Sequence, residues 1–499
     1  MKLQKILLVT TILVCLTYCV ANGQTYTLEE YEKFALENSK SIEIAKERIN
    51  VATNLRKSAL TQFLPNIQAV GTYLWNQKDI SMIAEDALLP VGSKMDDGSF
   101  GFTPDQIKNG WTLVDGQPVP LDANGVPFNP KTNPEKILWK NYALLPKDAL
   151  TFDIKNIFVG GIGVTQPIFM GFKIRELYNI TKSSERISKI AYDNEKTELI
   201  ISVDQAYWTV VSLINKKNLA TKYVELLQTL LNNVEKSAKE GVATKGDILN
   251  IKVKLNEAQV ALTKATNGVE LAKMALFRLC GLDINGAFSL ADEDIDTPDN
   301  LLIDNAKGAI DINSALSQRG EINELYELSK ISHSQVNIAR SRFMPNIAAT
   351  ANYLTTNPNV FNGFSKKFKG TFSVGVAITI PIFHFGDRIY TLKAAKSEER
   401  IVGKRIEQVK ELITLQIRQS EFKYREAKNK LVAAISNIEA AQENLKLAEL
   451  SYKEGLISLT DLLAAQTAYI SANSEKIDAN IDLRMCELHL RKAIGEKLY

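Results

Sequence analysis

The chain has 499 residues, 45% of them hydrophobic and 23% charged, with a formal charge of +3. This is the composition of a folded protein, which removes disorder as the default, and the length allows two or three ordinary domains. The charge carries no basic excess of the kind that a nucleic-acid or polyanion partner calls for.

Lys2 and Lys5 precede the apolar run ILLVTTILVCLTYCV, and Ala21-Asn22-Gly23 offers small residues where a signal peptidase reads. Residues 1–23 are therefore expected to be a signal peptide, with Gln24 as the mature start and export as the consequence. Tyr18 before Cys19 and Val14 before Cys15 lack the small residue of a lipoprotein site. Cleavage lowers the formal charge to +1 and leaves Cys280 and Cys486 as the only cysteines. In the register of the repeat described below, Cys486 falls opposite Ala272, about 12 Å along a helix from Cys280, so a disulfide within one chain is not expected. His333, His384 and His489 are scattered, and no metal-ligand cluster follows from them.

Further along, FLPNI at Phe63–Ile67 returns as FMPNI at Phe343–Ile347, and PIF at Pro167 returns at Pro381. The chain reads as two related halves, 24–281 and 312–499, joined by a linker at 282–311. The first half carries 66 extra residues between Pro65 and Pro167. Gln77–Leu150 holds eight of the 14 prolines and is expected to be a long loop with little regular structure.

After each PIF the period changes. Phe172–Glu240 contains neither glycine nor proline, and Asp387–Glu454 contains only Gly403, so each stretch is predicted as one helix of about 100 Å. A repeated turn follows, KEGVATKGDIL at Lys239–Leu249 and KEGLISLTDLL at Lys453–Leu463, and then a second helix. In the first half that helix has a heptad seam: Ile248, Leu255, Leu262, Val269 and Leu276, with Ile251, Ala258, Ala265, Ala272 and Leu279 three positions on. Its counterpart carries Leu456, Leu463, Ile470 and Ile477 in one row, and Ala465, Ala472, Ala479 and Cys486 in a second row on the opposite face. Such a helix needs neighbours on both sides. A helical bundle core fits this spacing; staves of a tube account better for two opposite seams.

The segments between the proline motifs and the long helices alternate strictly. Gly370–Ile382 places Phe372, Val374, Val376, Ile378 and Ile380 on one face and Thr371, Ser373, Gly375, Ala377 and Thr379 on the other. Ile67, Ala69, Tyr73 and Trp75 share a face, as do Ile347, Ala349, Ala351 and Tyr353, with Tyr73, Trp75 and Tyr353 as candidate interfacial aromatics. About ten such residues suit a membrane-spanning strand; a soluble antiparallel sheet has the same pattern. Four strands cannot close a useful barrel, and open edges are not tolerated in lipid, so the membrane reading requires an oligomer.

The order of elements, the F-[LM]-P-N-I motifs, the strand ends GVTQPIF and ITIPIF, and the paired KEG turns resemble the TolC-like outer-membrane efflux proteins. TLEEYEKFALENSKSI near the start and ALSQRGEI at Ala315–Ile322 add to the resemblance, although Gly320 and Ser39 stand where prolines are common in the family. The resemblance covers nearly the whole mature chain. It implies a mainly α protein with a membrane β-barrel part: a homotrimer whose four strands per chain build a twelve-stranded barrel in outer-membrane lipid, continued by a twelve-helix periplasmic tunnel. It further implies a passive exit duct recruited by a periplasmic adaptor (membrane fusion) protein and an inner-membrane pump, with no cofactor and no enzymatic activity. No nucleophile with a nearby base and no phosphate-binding glycine loop stands in the sequence.

The repeated turn has two readings that can coexist. Thr244-Lys245-Gly246-Asp247 and Ser458-Leu459-Thr460-Asp461 fit capping boxes, with Gly241 and Gly455 as left-handed stops of the preceding helices. By the resemblance, the same turns are the periplasmic tips that meet the adaptor, formed by Gly241, Val242, Ala243, Thr244, Gly455, Leu456, Ile457, Ser458 and Leu459. Of these, Val242, Ala243, Leu456, Ile457 and Leu459 are expected to be exposed. Asp247 and Asp461 then match acids of the closed channel entrance. Ala464 stands where well-known members carry a second acid, and Ile457 where they carry a gate arginine, so a less charged gate is expected. A stalk-like coiled-coil structural protein would explain the helices and not the strands, and a stand-alone porin the reverse.

Overall fold

The computed structural model describes residues 25–241, 243–286, 289–292, 310–361 and 363–499. The signal peptide, Val242 and most of the 282–311 linker lie outside the described residues.

The chain opens with α1 (Leu28–Asn38), started by a capping box between Thr27 and Glu30, and α2 (Lys40–Thr61). Strand β1 (Asn66–Trp75) begins just after Pro65, where the missing N–H and the restricted predecessor favour leaving the helix. The insertion holds β2 (Ala87–Pro90), β3 (Trp111–Val114), β4 (Gln117–Pro120) and β5 (Tyr142–Leu145), and β6 (Asn156–Met170) then pairs back onto β1. Left-handed Gly171 and Phe172 turn the chain into α3 (Lys173–Lys239), and α4 (Lys245–Leu279) follows. The second half repeats the order: α5 (Ile312–Gln318), α6 (Gly320–Ser341), β7 (Asn346–Asn357), β8 (Lys369–Thr379), α7 (Asp387–Lys453) and α8 (Leu459–Ala493).

The two copies agree closely in length. Both α3 and α7 have 67 residues and both α4 and α8 have 35; at 1.5 Å per residue the longer pair extend about 100 Å. The seam on α4 is buried at Ile251, Leu255, Ala258, Val269 and Leu276. Both rows of α8 are buried as well, through Leu463 and Ile477 on one side and Ala465, Ala472 and Ala479 on the other. This follows from its place: α8 packs along α7 and also against α3.

Both helical breaks form without a proline. Ser39 (φ −69°, ψ 131°) and Arg319 (φ −71°, ψ 126°) are extended residues between paired short helices. At the second break, the buried Arg319 guanidinium donates to the carbonyls of Lys492 and Ala493, both at 3.2 Å, and to Gln416 Oε1 and the Glu321 carboxylate. It thereby adds a donor to carbonyls in the last turn of α8, where Lys492 C=O already accepts from the Gly495 N–H at 2.9 Å.

Two compact units result, one from Met1–Thr61, Met170–Met344 and Pro381–Tyr499, the other from Gln62–Phe169 and Pro345–Ile380. Each sequence half contributes to both. The first unit is helical, with one core of Tyr31, Val203, Tyr207, Leu276, Phe277 and Cys280 where α1, α3 and α4 meet. Cys280 is buried and Cys486 half-buried, and both are free thiols.

The second unit is a four-stranded sheet in the order β8-β7-β6-β1, with β1 and β8 as its edges. Rungs Ile347↔Ile378, Ala349↔Val376, Ala351↔Val374 and Tyr353↔Phe372 put the expected rows on one shared face. On β8 the row Phe372, Val374, Val376 and Ile378 is 60–71% exposed. The strand ends at Thr379, short of the expected Ile382, so the second PIF lies outside it. The first PIF lies within β6, beyond the last rung to β1 at Thr165, where the absent N–H of Pro167 breaks no bond to that neighbour.

The insertion corrects the sequence reading. Far from lacking regular structure, it contains the ribbons β2–β5 and β3–β4, together with the two-residue ladders Ser93–Lys94 with Phe100–Gly101 and Ile80–Ser81 with Thr151–Phe152. In a two-stranded ribbon every strand is an edge, so Pro90, Pro118 and Pro120 fit without removing a needed donor. Buried Asn109 ties the segment together, donating to the carbonyls of Leu121 and Lys136 and accepting from the Leu138 N–H. Proline density here marks edge strands.

Candidate functional site

The two repeated turns fold alike, and the helices that carry them meet in one apolar cluster. Gly241 (φ 82°) and Gly455 (φ 73°) take the left-handed conformation that closes α3 and α7. At Gly455 the closure is a Schellman motif: the Leu456 N–H donates to Ser451 C=O at 2.8 Å and the Gly455 N–H to Tyr452 C=O at 3.0 Å. Both following helices begin with complete capping boxes. Thr244 Oγ1 accepts from the Asp247 N–H at 3.2 Å, while the Asp247 carboxylate accepts from the Thr244 N–H at 2.9 Å and from its hydroxyl at 2.7 Å. Ser458 and Asp461 repeat this at 3.2, 3.1 and 2.7 Å.

These bonds set the local electrostatics. Hydroxyl and then backbone donors hold both aspartates below the ordinary carboxylate range. Like-charge crowding would act in the opposite direction and requires further copies of the chain. Burial first, and the Asp247 charge second, push the Tyr452 phenol up.

Behind the turns, Leu231 and Val234 of α3, Ile251 of α4, Ala448 of α7 and Leu462 of α8 form a common cluster. This corrects part of the expected surface. Leu459 is only 6% exposed and sits inside the cluster, because the first turn of α8 points it inward; Ala243 and Ile457 pack partly against the same core. Leu456 is 77% exposed, and Gly241, Thr244, Gly455 and Ser458 are exposed too. Val242 lies outside the described residues.

Above the tips the contact between α3 and α8 becomes polar. A cavity of about 270 Å³ opens there, lined by Asn215, Asn218, Lys222, Tyr469, Asn473 and Gln466. Gln466 is buried, and its Oε1 has no hydrogen-bond partner among the described residues.

Sequence reasoning missed one acidic pair. Asp204 is buried on α3 among Ile200, Val203 and Tyr207, and its pKa is pushed up to about 8 by burial and by its hydrogen bond with Glu32 of α1, with Arg491 of α8 opposing. Burial raises Glu32 as well. The available signal was an acid inside the apolar run LIISVDQAYW. Among the described residues no cluster of His, Cys, Asp and Glu could hold a metal ion, and no helix is long and apolar enough to cross a membrane.

The profile of the family described as Outer membrane efflux protein matches residues 148–282 and 312–496, taking in both halves. Among solved structures, CusC is similar with a TM-score of 0.70 at 16% identity, over 95% of this chain and 93% of that chain. VceC of Vibrio cholerae gives 0.66 at 14% identity, over 95% and 97%, and the CmeC outer membrane channel of Campylobacter jejuni 0.67 at 16%, over 95% and 87%. At such identities the likeness is one of fold. No curated protein matches the chain.

Proposed function

The chain belongs to the outer membrane efflux protein family, and from that premise we propose that it is the passive exit duct of a tripartite efflux or type I secretion system. Three copies close one twelve-stranded barrel, and their long helices form a periplasmic tunnel whose tips engage an adaptor and, through it, an inner-membrane pump. The pump supplies the energy and the duct performs no chemistry.

The observation that carries this reading is the sheet. Its edges β1 and β8 are open, and β8 presents an unbroken apolar exposed row. In lipid that row is satisfied, while the edges are satisfied only by strands of other copies. The duplicated helix hairpins supply the second half of the argument, since a stand-alone porin has no use for helices of about 100 Å. Gly241, Thr244, Gly455, Leu456 and Ser458 form the adaptor-facing rim in this reading, with Ala243 and Ile457 partly beneath it. Asp247 and Asp461 line the entrance.

The test is extraction of the full chain from outer membranes in detergent, cross-linking to count chains, and an export assay with Leu456→Glu. A trimer whose export fails in that variant while assembly persists is the expected result. Release without detergent would instead indicate a structural coiled coil, and export by a variant altered at both tips would remove the adaptor-docking role.

A further inference from the structure

The insertion carries two apolar faces that are largely exposed among the described residues. On the β2–β5 ribbon, rungs Leu88↔Leu144 and Pro90↔Tyr142 place four side chains on one face, because alternate residues of a strand share a side. All four are exposed, Leu88 and Leu144 at 63% and 60%. On the β3–β4 ribbon, rungs Trp111↔Pro120 and Leu113↔Pro118 form a second apolar face, on which Trp111, Leu113 and Pro118 are exposed, Leu113 at 72%, and Pro120 is buried. Neither face contains a charge. Exposed apolar ribbons of this kind mark an interaction surface.

We propose that in the trimer each insertion docks its β2–β5 face onto the β3–β4 face of the next protomer's insertion, forming a closed apolar collar around the outer opening. The inference rests on the trimeric duct reading. Two observations select a second copy of this chain as the occupant. A cyclic trimer uses heterologous contacts, which need two different patches on every chain, and the insertion supplies two. It also starts at the chain's boundary: β1 is an edge strand, and the insertion leaves directly from its end. There the Asn76 N–H donates to Lys155 C=O and Asn76 Nδ2 to Ile154 C=O, both at 2.8 Å, and Lys155 pairs with Asp79 at 3.2 Å. These bonds fix the base of the insertion to the sheet beside the edge where the neighbour must pair.

The test uses the full-length chain purified in detergent, with its trimeric state first established by cross-linking. Leu88→Cys, Leu113→Cys and the control Lys131→Cys are labelled with a maleimide, and modification is read peptide by peptide so that Cys280 and Cys486 do not interfere. Positions 88 and 113 are expected to react several-fold more slowly than 131 in the trimer and equally fast after dissociation in SDS. Adding Leu113→Glu to the Leu88→Cys chain is expected to restore fast labelling at 88 while the trimer persists. Fast labelling at 88 and 113 in a verified trimer overturns the collar, as does protection that ignores Leu113→Glu. Protection present in outer membranes but lost in the purified trimer assigns the faces to lipid or to another protein, and likewise overturns it. A monomeric preparation overturns the trimeric reading and the collar with it.

Discussion

Asp461 and Ser458 bind each other reciprocally: the carboxylate accepts from the serine backbone N–H and hydroxyl, and the serine oxygen accepts from the aspartate N–H. Asp247 and Thr244 repeat the arrangement 214 residues earlier. Removing the hydroxyl by Ser458→Ala or Thr244→Ala is expected to cost about 1 kcal/mol of local stability. Faster amide exchange confined to the first turns of α8 or α4 is the readout. The pH dependence has a definite sign. Both carboxyl groups lie below their ordinary range in the fold, so the caps are intact above that range and fray as pH falls through the depressed values.

On β8, Val376→Arg is expected to reduce the yield of heat-modifiable trimers on SDS gels, because a cation facing lipid near the midplane costs about 2–4 kcal/mol. Ser373 lies on the opposite face of the same strand. Ser373→Arg is expected to leave assembly unchanged and to shift bilayer conductance toward anions. Equal losses in both variants would mean that the row does not face lipid.

Most of this architecture was readable because it rests on period. The 67-residue helices stand in stretches of 69 and 68 residues bounded by glycine, and the rows on β8 follow from strict alternation. What stayed hidden depended on direction or on distant partners. Leu459 was expected at the surface because it sits in a turn, yet the capping box sets the helix start so that it points into the tip cluster. Arg319 stood in the ALSQRGEI stretch, but its role was not legible, since it requires the end of α8, over 170 residues away. The insertion was misread because proline suits an edge strand as well as a loop.

Buried Asp204 on α3 and its half-buried partner Glu32 on α1 make a prediction of opposite sign to the caps. With the folded pKa of Asp204 raised from 3.8 to about 8, the fold binds an extra proton between those values. This contribution to stability is therefore complete below about pH 4, falls as pH rises, and levels off above about pH 8. Asp204→Asn keeps a neutral group of similar shape and is expected to flatten the pH dependence of the melting temperature across that window. An unchanged slope would exclude Asp204 as its source.

Replacing Gln77–Leu150 with a short turn is expected to leave a detergent-stable trimer. The insertion has its own ribbons and its own buried Asn109 and Phe128, and the rungs from Asn66↔Thr165 to Trp75↔Asn156 lie outside it. Size-exclusion chromatography with cross-linking reads the result, and collapse to monomers would show that the barrel strands and helices alone do not hold the assembly.

The last prediction concerns the entrance. In the proposed trimer, three copies of Asp247 and three of Asp461 approach one axis. Gathered in a narrow constriction, like charges raise one another's pKa values and attract cations, against the capping bonds that lower them within each chain. Ala464 and Ile457 stand where the family resemblance implies a second acid and a gate arginine, so the block is expected to depend mostly on Asp461. Single-channel recording at several salt concentrations compares the wild type with Asp461→Asn and Asp247→Asn. Cation preference and periplasmic-side block by multivalent cations are expected to weaken in Asp461→Asn and to change less in Asp247→Asn, with trimers intact in both. Asparagine retains an acceptor oxygen for the cap, so the change isolates charge from helix initiation. If block and selectivity stayed the same in both variants, the aspartates would act at these turns as helix caps alone.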